Sequence, residues 1–403
     1  MLEGLKVIDA GSLVSGPYCA KLLGDLGAEV IKIEPPGKGD EARARGPFPN
    51  DVPHPERSGL FLYVNAGKLG ITLDLRCDTG RRLFQDLVRQ SDVLIENFLP
   101  PVRDELGLGF DTLRKLNARL VVTSITPFGS EGPYKDYLAP ELVVFQMSGV
   151  GYGTPGEVAP EDLRKEPPLR ARILGSQFMS GMGGAAASLA ALLDRERTGL
   201  GQQVDVAQQE VLAAMMWVNL AQLFHAGKNP TREKQGRYPA APMHILPCRD
   251  GYVHLECLEE HQWTAFVSLI GSPEWSKNEL FRTRESRAEY WDALGPLVTE
   301  VTTTWGKEDL SKAAQARGIP CTVVRRADDL LSSRQLAERE FFTRIEHPVA
   351  GPFVYPGLPF KVPGPPRETH PAPLLGQHNE VVLCGRLGCD RSDLARLRAV
   401  GAI

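Results

Sequence analysis

The chain lacks the features that mark several large classes of protein. It has no uninterrupted apolar run of about 18 residues, so we expect no segment that spans a membrane. Its first residues, MLEGLKVIDAG, carry neither the charged front nor the apolar run of a signal peptide. The net charge of −4 offers no basic excess for nucleic acid or an anionic membrane surface. We therefore expect a cytoplasmic protein that binds neither.

Cysteine is scarce and shows no paired pattern. The number of cysteines is odd, and no two of them are spaced as CxxC. This pattern disfavours disulfides and structural zinc, so we predict no metal site and interpret each cysteine as a free thiol. The residues concerned are Cys19, Cys77, Cys248, Cys257, Cys321, Cys384 and Cys389.

Strand-like and helix-like segments alternate along the first third of the chain. LKVID, AEVIKIE and VVTSIT are short and rich in branched apolar residues and predict strands, whereas SLVSGPYCAKLLGDLG and TGRRLFQDLVRQ predict helices. This alternation is typical of βαβ units, so we predict an α/β protein with a Rossmann-like parallel sheet. No GxGxxG follows the first strand, and a dinucleotide cofactor is therefore not supported.

The 403 residues suffice for about two or three domains. A polar, turn-rich segment at 228–240 predicts a boundary, and HILPCRDGYVHLEC predicts a hairpin that turns at Asp250–Gly251. Helices are expected from there to about residue 315, and little regular structure from about 340 to 384, where Pro and Gly are frequent. The predicted division is a large domain at 1–205, a small domain at 225–330 and a C-terminal return to the large domain at 331–403.

Residues 176–197 predict a helix that is rich in Ala and Gly. Small side chains allow close packing, so the interpretation we favour is a tightly packed core helix. The alternative is that a ligand approaches the backbone closely at Gly181, Gly183 and Gly184.

A series of motifs runs in order along nearly the whole chain. It opens with LEGLKVIDAGSLVSGPYCAKLLGDLGAEVIKIEPPGKGD and continues through NAGKLGITLDL, VLIENFLPPVRDELGLGF and RTGLGQQVDVA. It ends with GIPCTVVRRADDLL, EHPVAG and PAPLLGQHNEVV. These motifs resemble the family III CoA-transferases (the CaiB/BaiF family), which include formyl-CoA, carnitine and benzylsuccinate CoA-transferases and the 2-methylacyl-CoA racemases.

The resemblance implies a fold and a reaction. A Rossmann-like large domain is built from both chain ends, a smaller α+β domain lies in the middle, and two ring-shaped subunits interlock into a dimer. The CoA thioester is a substrate, not a cofactor, and binds in the large domain at the subunit interface. An Asp attacks the donor thioester and forms a mixed anhydride, because covalent catalysis splits one hard transfer into easier steps.

The residue that should be this Asp is absent. In the helix ahead of RTGLGQ, counting back from Ala-Ala-Leu and from Gly181 places Gln177 at its position, and a shift of one residue would place Ser176 there instead. No Asp or Glu occurs between Glu166 and Asp194. An amide cannot form the anhydride. A Ser nucleophile needs a neighbouring base, and no His lies near Ser176 in the sequence. We therefore predict that this chain has no catalytic residue.

A second position argues against the racemase branch. Racemases of this family use a His and the Asp as two bases on either face of the α-carbon, and Pro140 stands where that His would be. Glu141 follows, where the family has an acidic residue, and we interpret it as an ordinary packing or capping acid.

The predicted CoA-binding residues are Lys68, Asn97, Phe98 and Lys135, which match the family's motifs. Asn97 and Phe98 fit equally well a role in holding the turn that follows a strand.

Other positions depart from the family. Pro35 and Glu105 stand where basic residues are expected, although Arg103 could compensate for Glu105. The family's Gly-rich lid is reduced to Gly236. A lid keeps water from an anhydride, so a chain that forms none does not need it.

We hypothesise that the chain is the non-nucleophilic subunit of a heteromeric CoA-transferase that moves CoA between carboxylic acids, for example from succinyl-CoA to an aryl-substituted succinate. An Asp-bearing paralogous subunit would complete an interlocked heterodimer or heterotetramer. Two alternatives stay open: a homodimeric acyl-CoA enzyme with other chemistry, and a non-catalytic protein that binds CoA esters.

Overall fold

The computed structural model describes residues 1–154, 165, 167–169, 171–229, 232, 241–361 and 369–403. The chain divides into two compact units. The larger comprises Met1–Pro155, Pro168–Thr231 and Glu340–Ile403, and the smaller comprises Gly156–Pro167 and Arg232–Arg339. Among the described residues, no helix is long and apolar enough to cross a membrane.

The larger unit is built around a six-stranded parallel sheet in the order β3-β2-β1-β4-β5-β6. This sheet confirms the predicted α/β, Rossmann-like fold class. Its strands are β1 (Lys6–Asp9), β2 (Glu29–Glu34), β3 (Leu69–Thr72), β4 (Val93–Glu96), β5 (Val121–Thr126) and β6 (Gln203–Ala207).

Helices of this part of the chain alternate with the strands. They are α1 (Ser15–Asp25), α2 (Gly59–Val64), α3 (Asp78–Val88), α4 (Pro100–Glu105), α5 (Phe110–Leu116), α6 (Glu141–Met147), α7 (Gly175–Thr198), α8 (Gln208–Ala213) and α9 (Trp217–Ala226). Most strand residues are buried because both faces of the sheet are covered. One core contains Phe84 of α3 and Leu113 of α5, and the other contains Leu23 of α1 and Leu192 of α7.

The smaller unit contains a three-stranded antiparallel sheet, β7-β8-β9, with helices beside it. The predicted hairpin is confirmed, since Cys248 pairs with Gly251 across the Asp250 turn. The elements are β7 (Met243–Cys248), β8 (Gly251–Glu256), α10 (Glu260–Leu269), α11 (Arg284–Glu289), α12 (Trp291–Thr302), α13 (Lys307–Gln315), β9 (Cys321–Val323), α14 (Ala327–Leu331) and α15 (Arg334–Glu338).

The C-terminal part rejoins the larger unit and has more regular structure than the sequence indicated. The prediction of little regular structure between 340 and 384 was wrong, because β10 (Phe342–His347) and β11 (Gly351–Pro356) form an antiparallel hairpin. A two-stranded ribbon has only edge strands, which tolerate proline, so composition hid it. A short π-helical turn at Glu380–Cys384, α16 (Gly385–Leu387) and α17 (Arg391–Ala399) follow.

Candidate active site at the start of helix α7

Helix α7 places Ser176 and Gln177 in its first turn, beside α1. A Cβ on Gly181 would lie 2.9 Å from the backbone oxygen of Ser15, and one on Gly184 would lie 2.7 Å from Cδ1 of Ile125. Protein atoms therefore fill the space around these two glycines, which supports the core-packing interpretation. Gly183 is less confined, because its nearest neighbour would be a methyl carbon of Val211 at 3.5 Å.

Glu141 caps helix α7 from the first turn of α6. Its Oε1 accepts hydrogen bonds from the Ser176 N–H at 2.9 Å and the Ser176 hydroxyl at 2.8 Å, and its Oε2 accepts from the Gln177 N–H at 3.2 Å. A carboxylate is favourable there because the first N–H groups of a helix have no partner within it. Pro140, the extended residue before α6, fixes the start of that helix. The capping role interpreted for Glu141 is what these contacts show.

Ser176 has a base beside it that sequence reasoning missed. The carboxylate of Glu141 is 35 residues away in the chain, and the search for a base considered only His. The arrangement still does not make a nucleophile of Ser176, because the residue is 0% exposed and its hydroxyl is held by Glu141. Glu141 itself is only half-buried, so the accessible carboxylate of this region is its side chain.

Aromatic side chains surround the start of α7. The ring of Phe178, which follows Gln177, lies edge-on to Tyr18 of α1 at 4.8 Å between centroids. Tyr63 of α2 lies 6.2 Å from Phe178 and 6.1 Å from Tyr18. All three are partly exposed, and burial raises the pKa of both tyrosines, so their hydroxyls stay neutral. The three rings thus form an aromatic wall at the start of α7, where Gln177 is half-buried, and the Lys21 ammonium lies 5.3 Å from the centroid of Tyr63.

Lys68 lies inside the protein and not on an open surface. Its ammonium donates to Oδ2 of Asp9 at 2.7 Å, to the Pro17 carbonyl at 2.7 Å and to Oδ1 of Asn65 at 2.9 Å. An ammonium has three donors, and all of them are used. Burial lowers the pKa of Lys68 to about 8. Its contact with CoA stays a prediction that this geometry does not favour.

Asn97 joins the turn after β4 to the loop after β1. Its Oδ1 accepts from the Ser12 N–H at 2.8 Å, and its Nδ2 donates to the Ser12 carbonyl at 2.7 Å and the Ser15 hydroxyl at 3.0 Å. These strands are neighbours at the point where the strand order reverses, which is where ligands of such sheets usually bind. Phe98 packs on the core beneath.

The basic residues predicted near CoA lie apart. Lys135 is exposed and pairs with Asp136. Arg103 donates to the Ser130 hydroxyl at 2.9 Å and is largely covered, whereas Glu105 is exposed.

Two further departures concern loops. Pro35 is exposed after β2. Gly236, the remnant of the lid, lies outside the described residues.

Fold and site together define an α/β protein with a switch point between β1 and β4 and a long glycine-rich helix whose first turn has no carboxylate of its own. Over residues 2–379 the chain matches the family described as CoA-transferase family III, and it belongs to that family. The resemblance noted in the sequence is thereby confirmed.

The chain is similar to enzymes with different acid substrates. It is 31% identical to a formyl-CoA:oxalate CoA-transferase of Streptomyces avermitilis, over 100% of this chain and 99% of that protein. It is 33% identical to the succinyl-CoA:(R)-benzylsuccinate CoA-transferase subunit BbsE of Thauera aromatica, over 96% and 95% of the two chains. A CAIB/BAIF family protein from Brucella suis has a similar structure, with a TM-score of 0.83 and 28% identity over 96% of this chain and 99% of that one.

Proposed function

We propose that this chain is the non-nucleophilic subunit of a heteromeric CoA-transferase that acts in the cytoplasm on carboxylic acids. The observation that carries the proposal is Gln177, at the start of α7 where the resemblance expects the Asp. Its amide is too weak a nucleophile to open a thioester and form an anhydride. An Asp-bearing paralogous subunit would supply the nucleophile in an interlocked heterodimer or heterotetramer.

An uncovered helix supports the need for a partner. Helix α9 has no buried residue, and Trp217 and Phe224 are 68% and 80% exposed. Its sequence, WVNLAQLFHA, is mostly apolar and carries no Lys, Arg, Asp or Glu. Large exposed apolar patches mark interaction sites, and a second subunit would cover this one. The relative in Thauera aromatica is itself named as a subunit.

The acid that we propose as acceptor is an aryl-substituted succinate, with succinyl-CoA as donor. The name of the Thauera aromatica relative supplies this pair. The wall of Tyr18, Tyr63 and Phe178 beside Gln177 fits an aromatic ring, because aromatic rings pack well edge-to-face. The proposed CoA contacts are Asn97 and Phe98 at the switch point, together with Lys135.

The test is to express the chain alone and together with an Asp-bearing paralogue. CoA transfer from succinyl-CoA to benzylsuccinate is measured in both preparations. We expect activity only in the co-purified complex, and we expect it to survive Gln177→Ala in this chain but not Asp→Asn in the paralogue. Full activity of the purified single chain would overturn the proposal.

Glu141 favours a second candidate, a self-sufficient acyl-CoA enzyme with other chemistry. Its half-buried carboxylate lies at the first turn of α7. In that chemistry, a Glu141 oxygen would bond to the acyl carbon, the carbon–sulfur bond would break, and CoA would leave as the thiolate. Mass spectrometry of the single chain after incubation with acyl-CoA and hydroxylamine distinguishes the two. A hydroxamate at Glu141 supports this candidate, and an unmodified Glu141 supports the first one.

Tight CoA binding without turnover in either preparation would instead indicate a non-catalytic CoA-ester-binding protein.

A further inference from the structure

The carboxyl group of Glu96 lies inside the protein, at the carboxyl end of β4. The residue is 0% exposed. Its Oε2 accepts a hydrogen bond from the Phe98 N–H at 2.8 Å, whereas its Oε1 has no hydrogen-bond partner among the residues that the structure describes. Burying an ion with one oxygen unsatisfied is costly, because the lost hydration is not replaced. A protonated carboxyl group avoids that cost.

The neighbours of Glu96 offer a place for this proton. Ser124 stands beside it in register on β5, and its hydroxyl also lacks a hydrogen-bond partner within the described part of the chain. A proton on Oε1 could therefore be donated to Ser124 after a small rotation. Burial is the largest cause acting on the pKa of Glu96 and raises it to about 7. The Ser124 hydroxyl, the Phe98 N–H and the Arg103 cation of α4 lower this pKa, and Asp205 of β6 raises it.

We propose that Glu96 carries a proton in the folded chain up to neutral pH, and that this proton keeps the turn at 96–98 closed and links ligand binding at the turn to pH. An ionised Glu96 must draw water or Arg103 towards Oε1, and either movement opens the turn. The link to a ligand rests on the proposed contact of CoA with Asn97 and Phe98. CoA phosphates beside the turn add like charge, so binding favours the protonated form and takes up a proton.

The first experiment needs no ligand. Wild type, Glu96→Gln and Glu105→Gln are compared by amide hydrogen exchange of the peptide that contains Phe98, at pH 6 and pH 8, after correction for the intrinsic rate. Gln imitates the protonated Glu, and Glu105→Gln removes one charge from an exposed position nearby. The protection of this peptide against exchange should be about threefold to tenfold lower at pH 8 than at pH 6 in wild type and in Glu105→Gln. In Glu96→Gln it should be the same at both pH values.

Stability gives an independent measure of the same proton. Because the folded pKa of Glu96 is raised from 4.5 to about 7, its contribution is full below the lower value and is lost as pH rises to the upper one. Urea denaturation of wild type relative to Glu96→Gln should show this loss between about pH 4.5 and pH 7. If Glu96→Gln fails to fold, infrared difference spectra of the wild type over the same pH range detect the protonated carboxyl group directly.

Calorimetry with coenzyme A tests the link to the ligand. Titrations near pH 7 in buffers of different ionisation enthalpy measure the protons taken up on binding. The phosphates of coenzyme A titrate in the same way with both proteins. The difference in proton uptake between wild type and Glu96→Gln is therefore the contribution of Glu96. We expect uptake of a fraction of one proton, removed by the substitution.

Each result bears on one part of the inference. Protection and stability that do not change with pH would show that Glu96 is already ionised and would overturn the whole of it. Equal proton uptake by both proteins would overturn the link to the ligand. If neither wild type nor Glu96→Gln binds coenzyme A, alone or with the paralogue, the proposed CoA site and the link between ligand binding and pH are overturned. The exchange experiment would still show whether Glu96 is protonated.

Discussion

Replacing Lys68 by Met removes a buried cation and distinguishes a structural role from a ligand contact. The change keeps a side chain of similar length but leaves the Asp9 carboxylate without its closest cation and removes one donor from the carbonyl of Pro17. Removing one partner of a buried ion pair typically costs about 3–5 kcal/mol. Asp9 still accepts from the Gly11 N–H at 3.0 Å and keeps Lys32 at 3.8 Å. We therefore expect the low end of that range, about 3 kcal/mol.

The assay is urea denaturation followed by circular dichroism, with Lys135→Met as the matched control. Lys135 is partly exposed and, within the described part of the chain, its ammonium is bonded to its neighbour Asp136, so its loss should change the free energy of unfolding by less than about 0.5 kcal/mol. We expect the opposite ranking for the affinity for coenzyme A. Lys135→Met should bind coenzyme A more weakly than wild type, and folded Lys68→Met should bind it as wild type does. An unfolding free energy of Lys68→Met within about 0.5 kcal/mol of wild type would refute the reasoning from burial.

Two further predictions concern packing in each unit. Gly181→Ala should destabilise the protein by about 1–3 kcal/mol, because the new methyl group meets the Ser15 backbone oxygen at 2.9 Å. Gly183→Ala on the same helix should be neutral or stabilising by up to about 1 kcal/mol. Thermal unfolding of both variants measures the difference. In the smaller unit, Arg287→Lys should lower the free energy of unfolding by about 2 kcal/mol. The buried guanidinium of Arg287 donates two hydrogen bonds to the Glu260 carboxylate and three to backbone carbonyls, and an ammonium cannot make all of them. A melting temperature of Gly181→Ala or of Arg287→Lys equal to that of wild type would contradict the corresponding prediction.

The parallel sheet could be predicted because its signal is local. Strands covered on both faces are rich in branched residues, and this enrichment is visible at 30–33 (VIKI) and 121–125 (VVTSI) without knowledge of their neighbours. The C-terminal hairpin could not be predicted in this way. Its second strand contains Pro352 and Pro356, which composition assigns to a loop, and only the pairing with the first strand, from Phe342 with Pro356 onwards, reveals the ribbon.

The candidate site shows the same division between local and distant information. Gln177 could be found from the sequence because it stands at a countable distance from RTGLGQ. The environment of Lys68 could not, because Asp9 and the Pro17 carbonyl, 59 and 51 residues away in the chain, are brought to it by folding. A lysine in a motif is compatible with a phosphate contact and with a buried ion pair, and only geometry separates them.

Glu141 explains how the chain keeps an ordered α7 without an acidic residue in the helix's own first turn. The 24-residue helix has no side-chain cap from the residue before it and no acid in its first turn. Its unpaired N–H groups and positive dipole end still require an acceptor, and Glu141 provides one from α6. A second carboxylate at position 177 would lie beside the first and repel it. The neutral Gln177 therefore costs the helix little in stability, and the loss of the family's Asp that we propose is compatible with an intact α7.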